Sequence, residues 1–402
     1  MKKVYIVAAK RTAIGSFLGS LKNESASDLG AVVLKNIIEE TKINPEKIDE
    51  VIIGNVLHAG QGQGVGRQVA IKAGIPFTVP GYSVNMVCGS GMKALMTGYA
   101  NIKADIHKLV VAGGVESMSQ APYLAHGNLR NGHKMGDFKL TDHMVFDALT
   151  DVYEGCHMGI TAENIRRKYN ITREEQDEFA AESQKRAIEA IKLGKFKDEI
   201  VPYEVKTKKG SFIFDTDEHP REGTTVEVLA RLKPAFEENG TVTAGNSSGI
   251  NDGAAMIMLA SEEIVREENL NPMAEVIAVG QGGVDPSIMG LGPTPAIRNA
   301  LKMAKLKLSD IDLLELNEAF AAQALGVIRE LSNEHCVSEA WLRERTNVNG
   351  GAIALGHPVG VSGARIIVTL VHEMKKRGSK LGIASLCIGG GMGTAVVIKN
   401  LG

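Results

Sequence analysis

Ile48-Asp49-Glu50-Val51-Ile52-Ile53-Gly54-Asn55 decides the fold of this chain, because the pattern occurs twice. The short apolar, β-branched run closed by Gly-Asn reads as a strand. Before it, Leu29-Gly30-Ala31-Val32-Val33-Leu34-Lys35-Asn36-Ile37-Ile38 reads as an amphipathic helix. Much later, Thr294-Pro295-Ala296-Ile297-Arg298-Asn299-Ala300-Leu301 is followed at the same offset by Ile311-Asp312-Leu313-Leu314-Glu315-Leu316-Asn317. Each strand then leads through a glycine-rich turn and a long helix to another strand that runs into glycines. These later strands are Lys108 to Gly114 and Leu381 to Cys387. Strands alternating with helices imply parallel sheets covered on both faces. A duplicated unit of this kind implies two similar α/β halves packed together, with loops meeting between them.

Between the halves lies a region of a different kind. It holds polar turns at His126-Gly127-Asn128, Asn131-Gly132-His133 and Asp215-Thr216-Asp217, and one clear helix, Thr172 to Lys192. Thr172-Arg173-Glu174-Glu175 matches a capping box. Phe179, Ala180, Ser183, Ala187 and Ile191 share one face of that helix. From Ser248 to about Glu268 the chain returns to the first half.

The chain has 402 residues, 44% hydrophobic and 23% charged, enough for two or three domains with a large core. A net charge of −2 argues against nucleic acid or a membrane surface as the main partner. Four cysteines, Cys88, Cys156, Cys336 and Cys387, make no disulfide framework and no zinc-site spacing, which points to a reducing cytoplasm. Met1-Lys2-Lys3 and the apolar run Val4 to Ala9 superficially resemble a signal peptide. The run is short and meets Lys10-Arg11-Thr12 without a cleavage-like site, so it reads as a buried first strand. No apolar run is long enough to span a bilayer.

Chemistry concentrates on three glycine-rich turns. Val87-Cys88-Gly89-Ser90-Gly91-Met92-Lys93-Ala94 joins a strand, Tyr82 to Val87, to a helix, Met92 to Lys103. A cysteine there meets unpaired N–H groups and the positive end of a helix dipole, which favour thiolate. The alternative is a buried structural cysteine. Asn349-Gly350-Gly351-Ala352-Ile353-Ala354-Leu355-Gly356-His357-Pro358 carries a histidine ahead of another helix, Ser362 to Lys376. Ser385-Leu386-Cys387-Ile388-Gly389-Gly390-Gly391 places a second cysteine at a strand end. Together they supply a nucleophile and acid–base groups. Gly89 to Ala94 also fits a loose dinucleotide pattern, but no acidic residue follows where ribose recognition needs it.

Four segments in order, Val84 to Gly91, Asn317-Glu318-Ala319-Phe320-Ala321, Gly356 to Gly363 and Cys387 to Gly391, make the chain resemble the thiolase family, of the biosynthetic acetoacetyl-CoA type. The resemblance runs from Lys3 to Lys399. It implies an α/β fold of duplicated βαβαβαββ halves in five layers, α-β-α-β-α, plus a loop domain. The expected domains are 1–118 with 249–270 for the N-terminal half, 119–248 for a loop domain that covers the active site and holds CoA, and 271–402 for the C-terminal half. The implied activity is that of an acetyl-CoA C-acetyltransferase, joining two acetyl-CoA to acetoacetyl-CoA and CoA through an acetyl-cysteine. No tightly bound cofactor and no metal are implied.

By this resemblance Cys88 is the nucleophile and His357 takes its proton. Cys387 moves the α-proton of the second acetyl-CoA. Asn317 holds a water that, with His357, forms one oxyanion hole, and the N–H groups of Cys88 and Gly389 form the other. CoA contacts fall on Leu149, His157, Met158, Arg221, Ala244, Ser248, Ala319 and Phe320. Each has a bland alternative, such as a solvated charge for Arg221 or a core side chain for Met158. The family also implies dimers through the N-terminal half and, for biosynthetic members, a homotetramer using a loop within Tyr123 to Asp142. Two segments depart from the family. Leu331 to Asn347 is longer and more polar, and reads as a surface insertion. Cys156 stands before His157-Met158 where relatives carry a bulkier residue. A degradative 3-ketoacyl-CoA thiolase is the competing reading, although Met158 and Met289 suit a short acyl pocket. A ketosynthase fits less well, because Asn317 and Cys387 stand where it would have histidines, and a non-catalytic lipid carrier would have lost a catalytic residue.

Overall fold

The computed structural model describes residues 2–125 and 127–402; Met1, and His126 of the first polar turn, lie outside the described residues. In chain order the main elements are β1 (Val4–Thr12), α1 (Ala26–Thr41), β2 (Glu50–Gly54), α2 (Val65–Lys72), β3 (Gly81–Val84), α3 (Ser90–Lys103) and β4 (Leu109–Ser117). An intervening region holds α4 (Met158–Tyr169) and α5 (Arg173–Lys192). The chain returns as β5 (Asn251–Ser261) and continues through β6 (Ala274–Gly283), α6 (Pro293–Ala304), β7 (Leu313–Leu316), α7 (Ala321–His335), α8 (Ser362–Arg377), β8 (Leu381–Ile388) and β9 (Met392–Asn400).

The duplication is explicit in the sheet. The first half runs β1-β5-β4-β2-β3 and the second β6-β9-β8-β7, joined where Tyr5 and Ile6 of β1 pair with Glu275 and Ala274 of β6. Both halves use the same order of directions, two antiparallel pairings and then parallel ones. In the second half a bridge from Leu314 to Thr346 stands where the first half has β3.

Alternation along the strands builds three cores and therefore five layers. Val51 and Ile53 face outward with Leu34 and Ile37 of α1. Ile52 faces inward, with Ala384 and Leu386 of the second half, against α3 and α8. Ile383 and Val397 face the opposite exterior with Ile297, Leu301, Leu325 and Ile328 of α6 and α7. The two central helices meet at glycines. A methyl group on Gly363 would come within 2.6 Å of the Met92 backbone nitrogen, and one on Gly91 within 2.9 Å of the Gly360 carbonyl oxygen. Gly91 thus serves helix–helix approach and not a dinucleotide.

Two expectations need correction. The intervening region has a second long helix, α4, beginning at Met158 with His157 as its N-cap. Only one of its twelve positions, Ile165, is a buried branched aliphatic, so its apolar pattern is weak. The Leu331–Asn347 segment is also no mere surface insertion. It completes α7, forms a short helix at Glu339–Arg345 with Leu342 buried, and ends on buried Asn347. Asn347 Oδ1 accepts from Leu316 N–H at 2.9 Å and its Nδ2 donates to Leu316 O at 2.7 Å, replacing part of an edge strand.

Candidate active site

Cys88 sits on a sharp turn between β3 and α3. Val87 adopts φ 47°, which a β-branched residue resists at a cost of about 1–3 kcal/mol. The turn is held by Ser90, whose Oγ donates to Val87 O at 2.6 Å and accepts from Met86 N–H at 2.9 Å. Val87 N–H donates to Asn85 Oδ1 at 2.9 Å. The backbone N–H groups of Gly389 and of Cys88 itself both reach the Cys88 sulfur. Helix-end electrostatics led the sequence to suggest a thiolate; the structure corrects this. Cys88 is half-buried at the cavity surface, but protein surrounds it at longer range, and burial pushes its thiol up to about 11 against those N–H groups, with Glu116 adding to the rise. The resting group is a thiol and needs a base.

His357 is buried, and its backbone N–H donates to Asn251 Oδ1 at 2.9 Å. Gly356 before it has φ 100°, and a side chain there would strike Asn251. Burial, with the Arg365 charge nearby, lowers His357 to about 4, so the imidazole is neutral and free to accept a proton. Its Nδ1 lies 2.5 Å from Ser362 Oγ and its Nε2 3.5 Å from Asn317 Nδ2. Asn317 is buried, with Oδ1 lacking a hydrogen-bond partner among the described residues. Cys387 is wholly buried near the end of β8, and burial and the neighbouring Cys88 raise its thiol far above the ordinary range.

These groups meet at a cavity of about 420 Å³, an ordinary size for a small-molecule site. Cys88, His357 and Cys387 line it, as do Leu149, His157, Met158, Arg221, Ala244, Ser248, Ala319 and Phe320. Asn317 and Gly389 stand just behind the wall, against His357 and Cys88. Backbone pairing explains part of this convergence. Ser248 N–H donates to Ala319 O and Ala321 N–H to Asn246 O, both at 2.9 Å, so 246–248 runs beside 319–321. Arg221 is exposed at the mouth. Cys156 is not among the lining residues.

Sequence reasoning missed Phe236, which stacks on His157 at 4.6 Å and meets Phe320 edge-on at 6.1 Å. It also gave no role to Glu318. Its buried carboxylate accepts from Ser183 Oγ at 2.6 Å, Asn347 Nδ2 at 2.7 Å and Ile353 N–H at 3.3 Å. It therefore ties α5, the segment before His357 and the loop of Asn317 together. Only its place beside Asn317 in the sequence could have signalled that.

Comparison with known proteins identifies the family of the chain. The model of the thiolase N-terminal domain matches residues 4–263, and that of the thiolase C-terminal domain matches 270–400. The chain belongs to the thiolase family. It is 53% identical over 404 residues to an acetyl-CoA acetyltransferase of Syntrophomonas wolfei, covering all of both chains. Among solved structures it resembles the Bacillus anthracis acetyl-CoA acetyltransferase, with TM-score 0.95 and 45% identity over 100% of this chain and 99% of that one. It also resembles human mitochondrial 3-ketoacyl-CoA thiolase in complex with CoA, with TM-score 0.93 and 44% identity over 100% and 98%. This thiolase has no helix among its described residues that is long and apolar enough to cross a membrane, and no cluster of three metal-ligating side chains among them.

Within this site neither Cys88 nor His357 titrates in the neutral range. His357 gains its proton only below about 4, and Cys88 loses its own only near 11. Single-turnover release of CoA from acetyl-CoA should therefore change by less than about threefold between about pH 5.5 and about pH 9. A limb near the ordinary histidine value, seen by stopped flow, would contradict a buried neutral His357.

Proposed function

We infer that this protein is an acetyl-CoA C-acetyltransferase that joins two acetyl-CoA to acetoacetyl-CoA and CoA, reversibly, through acetyl-Cys88. The observation that carries the reading is the meeting of two cysteine thiols and a neutral histidine at one cavity. His357 takes the Cys88 proton as the sulfur attacks the thioester carbonyl, and returns it to the departing CoA sulfur. The N–H groups of Cys88 and Gly389, already aimed at the sulfur, stabilise the oxyanion beside it. Asn317 and His357 serve the second thioester, and the unpartnered Asn317 Oδ1 suits a bound water.

Cys387 then moves the α-proton. In thiolysis its thiol, kept protonated by burial, donates to the enolate of the departing acetyl-CoA. In condensation neutral His357 first takes the Cys387 proton, the thiolate so formed removes the α-proton of the second acetyl-CoA, and His357 returns its proton to the Cys88 sulfur as the acetyl group leaves it. CoA enters along Leu149, His157, Met158, Ala244, Ser248, Ala319 and Phe320, with Arg221 at the mouth for polar groups of the cofactor. The region 119–248 acts as the covering domain, between halves at 1–118 with 249–270 and at 271–402. No tightly bound cofactor takes part, and CoA is substrate. We place the enzyme in the cytoplasm, on the strength of four unpaired cysteines among the described residues.

The test is thiolysis of acetoacetyl-CoA against a long-chain 3-ketoacyl-CoA. Met158 and Met289 pack with Cys387 in one apolar cluster, which narrows the acyl end. Acetoacetyl-CoA should be preferred at least about tenfold in kcat/KM, since each misfit methylene costs on the order of 1 kcal/mol. Equal rates would favour the degradative 3-ketoacyl-CoA thiolase reading.

Assembly as a homotetramer is part of the same proposal. β3 is an edge strand of the first half, suited to pairing with a second copy. Tyr123–Ala125 pairs with Leu140–Asp142 as a two-stranded ribbon that exposes Tyr123, Met135, Phe138 and Leu140. Light scattering should give a tetramer at micromolar protein, and shortening the ribbon should give a dimer. A dimeric intact chain rejects the tetramer; a tetramer that survives the shortening rejects the ribbon's role.

A further inference from the structure

Ser362 is the first residue of α8 and is buried. Its Oγ lies 2.5 Å from His357 Nδ1 and 3.0 Å from Pro358 O. A backbone carbonyl can only accept, so Pro358 O gives the single hydroxyl proton of Ser362 a partner and leaves an oxygen lone pair to face His357. With the hydroxyl proton donated to Pro358 O, the Ser362 oxygen offers His357 a lone pair, which suits an imidazole proton on Nδ1. A neutral ring has one N–H, which leaves Nε2 bare. On the other side of the ring Asn317 Nδ2, a donor, lies 3.5 Å from Nε2, at the outer limit of a hydrogen bond.

We propose that Ser362 is a positioning residue that fixes His357 as the Nδ1–H tautomer, with the basic lone pair on Nε2 beside Asn317. The proposal rests on the reading of His357 as the base. It adds what makes that base usable, since the opposite tautomer would present an N–H to a thiol that must lose a proton.

The surrounding frame supports it. His357 N–H is held by Asn251 Oδ1, Gly360 N–H by Glu116 Oε2 at 2.9 Å, and Ser362 N–H by Pro358 O at 3.0 Å. With the backbone fixed at both ends of the loop, the side-chain torsions and the tautomer remain to be set, and the Ser362 hydroxyl bears on both. The duplicated architecture offers a parallel. Ser90-Gly91 and Ser362-Gly363 open the two central helices, and both serines donate back to a carbonyl of the preceding turn. In the first half the acceptor side of the serine holds Met86 N–H of the nucleophile turn. In the second half that acceptor side holds the imidazole.

The direct measurement is nitrogen NMR of the full-length protein labelled with ¹⁵N-histidine, with the His357 signals identified by their loss in His357→Gln. At neutral pH the wild-type ring should show a protonated Nδ1 and a bare Nε2. A protonated Nε2 would overturn the proposal, and this reading needs no variant at Ser362. In Ser362→Ala the Nδ1–H population should fall, and kcat for thiolysis should drop at least about tenfold with KM for CoA held within about twofold. A Ser362→Ala enzyme that keeps both the tautomer and kcat would equally reject it. The base reading is tested apart, by acetylation of Cys88 in His357→Gln. Unimpaired acetylation there would remove His357 as base while leaving the measured tautomer standing.

Discussion

Cys88→Ala lowers acetyl transfer from acetyl-CoA to the protein by at least about 10⁴-fold, the scale on which loss of a covalent nucleophile acts. The expectation comes from the turn at Val87. A left-handed backbone at a β-branched residue is sustained only by the bonds around it, and those bonds present the sulfur to the cavity. They belong to Ser90, Asn85 and the backbone, so the substitution leaves them in place. The change in stability should stay within about 1 kcal/mol. Intact-protein mass spectrometry after incubation with acetyl-CoA gives the answer. A stoichiometric acetyl thioester in the variant would assign the nucleophile elsewhere.

Cys387→Ala separates the two halves of the reaction. Cys88 should still become acetylated, while condensation falls by at least about 10³-fold because the α-proton has no acceptor. Cys387 is wholly buried, so losing its sulfur leaves a small cavity and costs about 1–2 kcal/mol of stability, less than needed to unfold the chain. Acetyl-enzyme should accumulate, and exchange of the acetyl-CoA α-protons with heavy water should stop. Near-normal condensation would show that another group is the base.

What could be read from the sequence followed from periodicity. Val51, Ile52 and Ile53 alternate between two cores, and so do Val396, Val397 and Ile398. The paired halves were legible because the helix pattern Leu29 to Ile38 and the strand pattern Ile48 to Asn55 recur as Thr294 to Leu301 and Ile311 to Asn317. Glycine-rich turns marked where Cys88, His357 and Cys387 lie. The charge state of Cys88 was hidden, because the helix end is local and legible whereas the burial that outweighs it, and outweighs the N–H of Gly389, arises only in the assembled fold. Asn347 was misjudged for a similar reason. Polar residues in a long segment read as solvated, yet this one spends its amide on Leu316 and Glu318 inside the protein. Phe236 stands alone in a polar stretch, and only the fold shows that it joins His157 to Phe320.

The glycine contact between α3 and α8 has a consequence for how this enzyme can change over evolutionary time. Side chains in the outer cores can be exchanged for others of similar bulk, at a cost in stability that neighbours absorb. At Gly91 and Gly363 backbone meets backbone, and nothing there can yield. Each of these helices begins just after a turn that carries Cys88 or His357, so a single methyl group at the seam would wedge the two turns apart. Divergence is therefore free at the periphery and blocked along one line through the middle. The separation of the reactive groups is set by two carbon atoms that the chain leaves out.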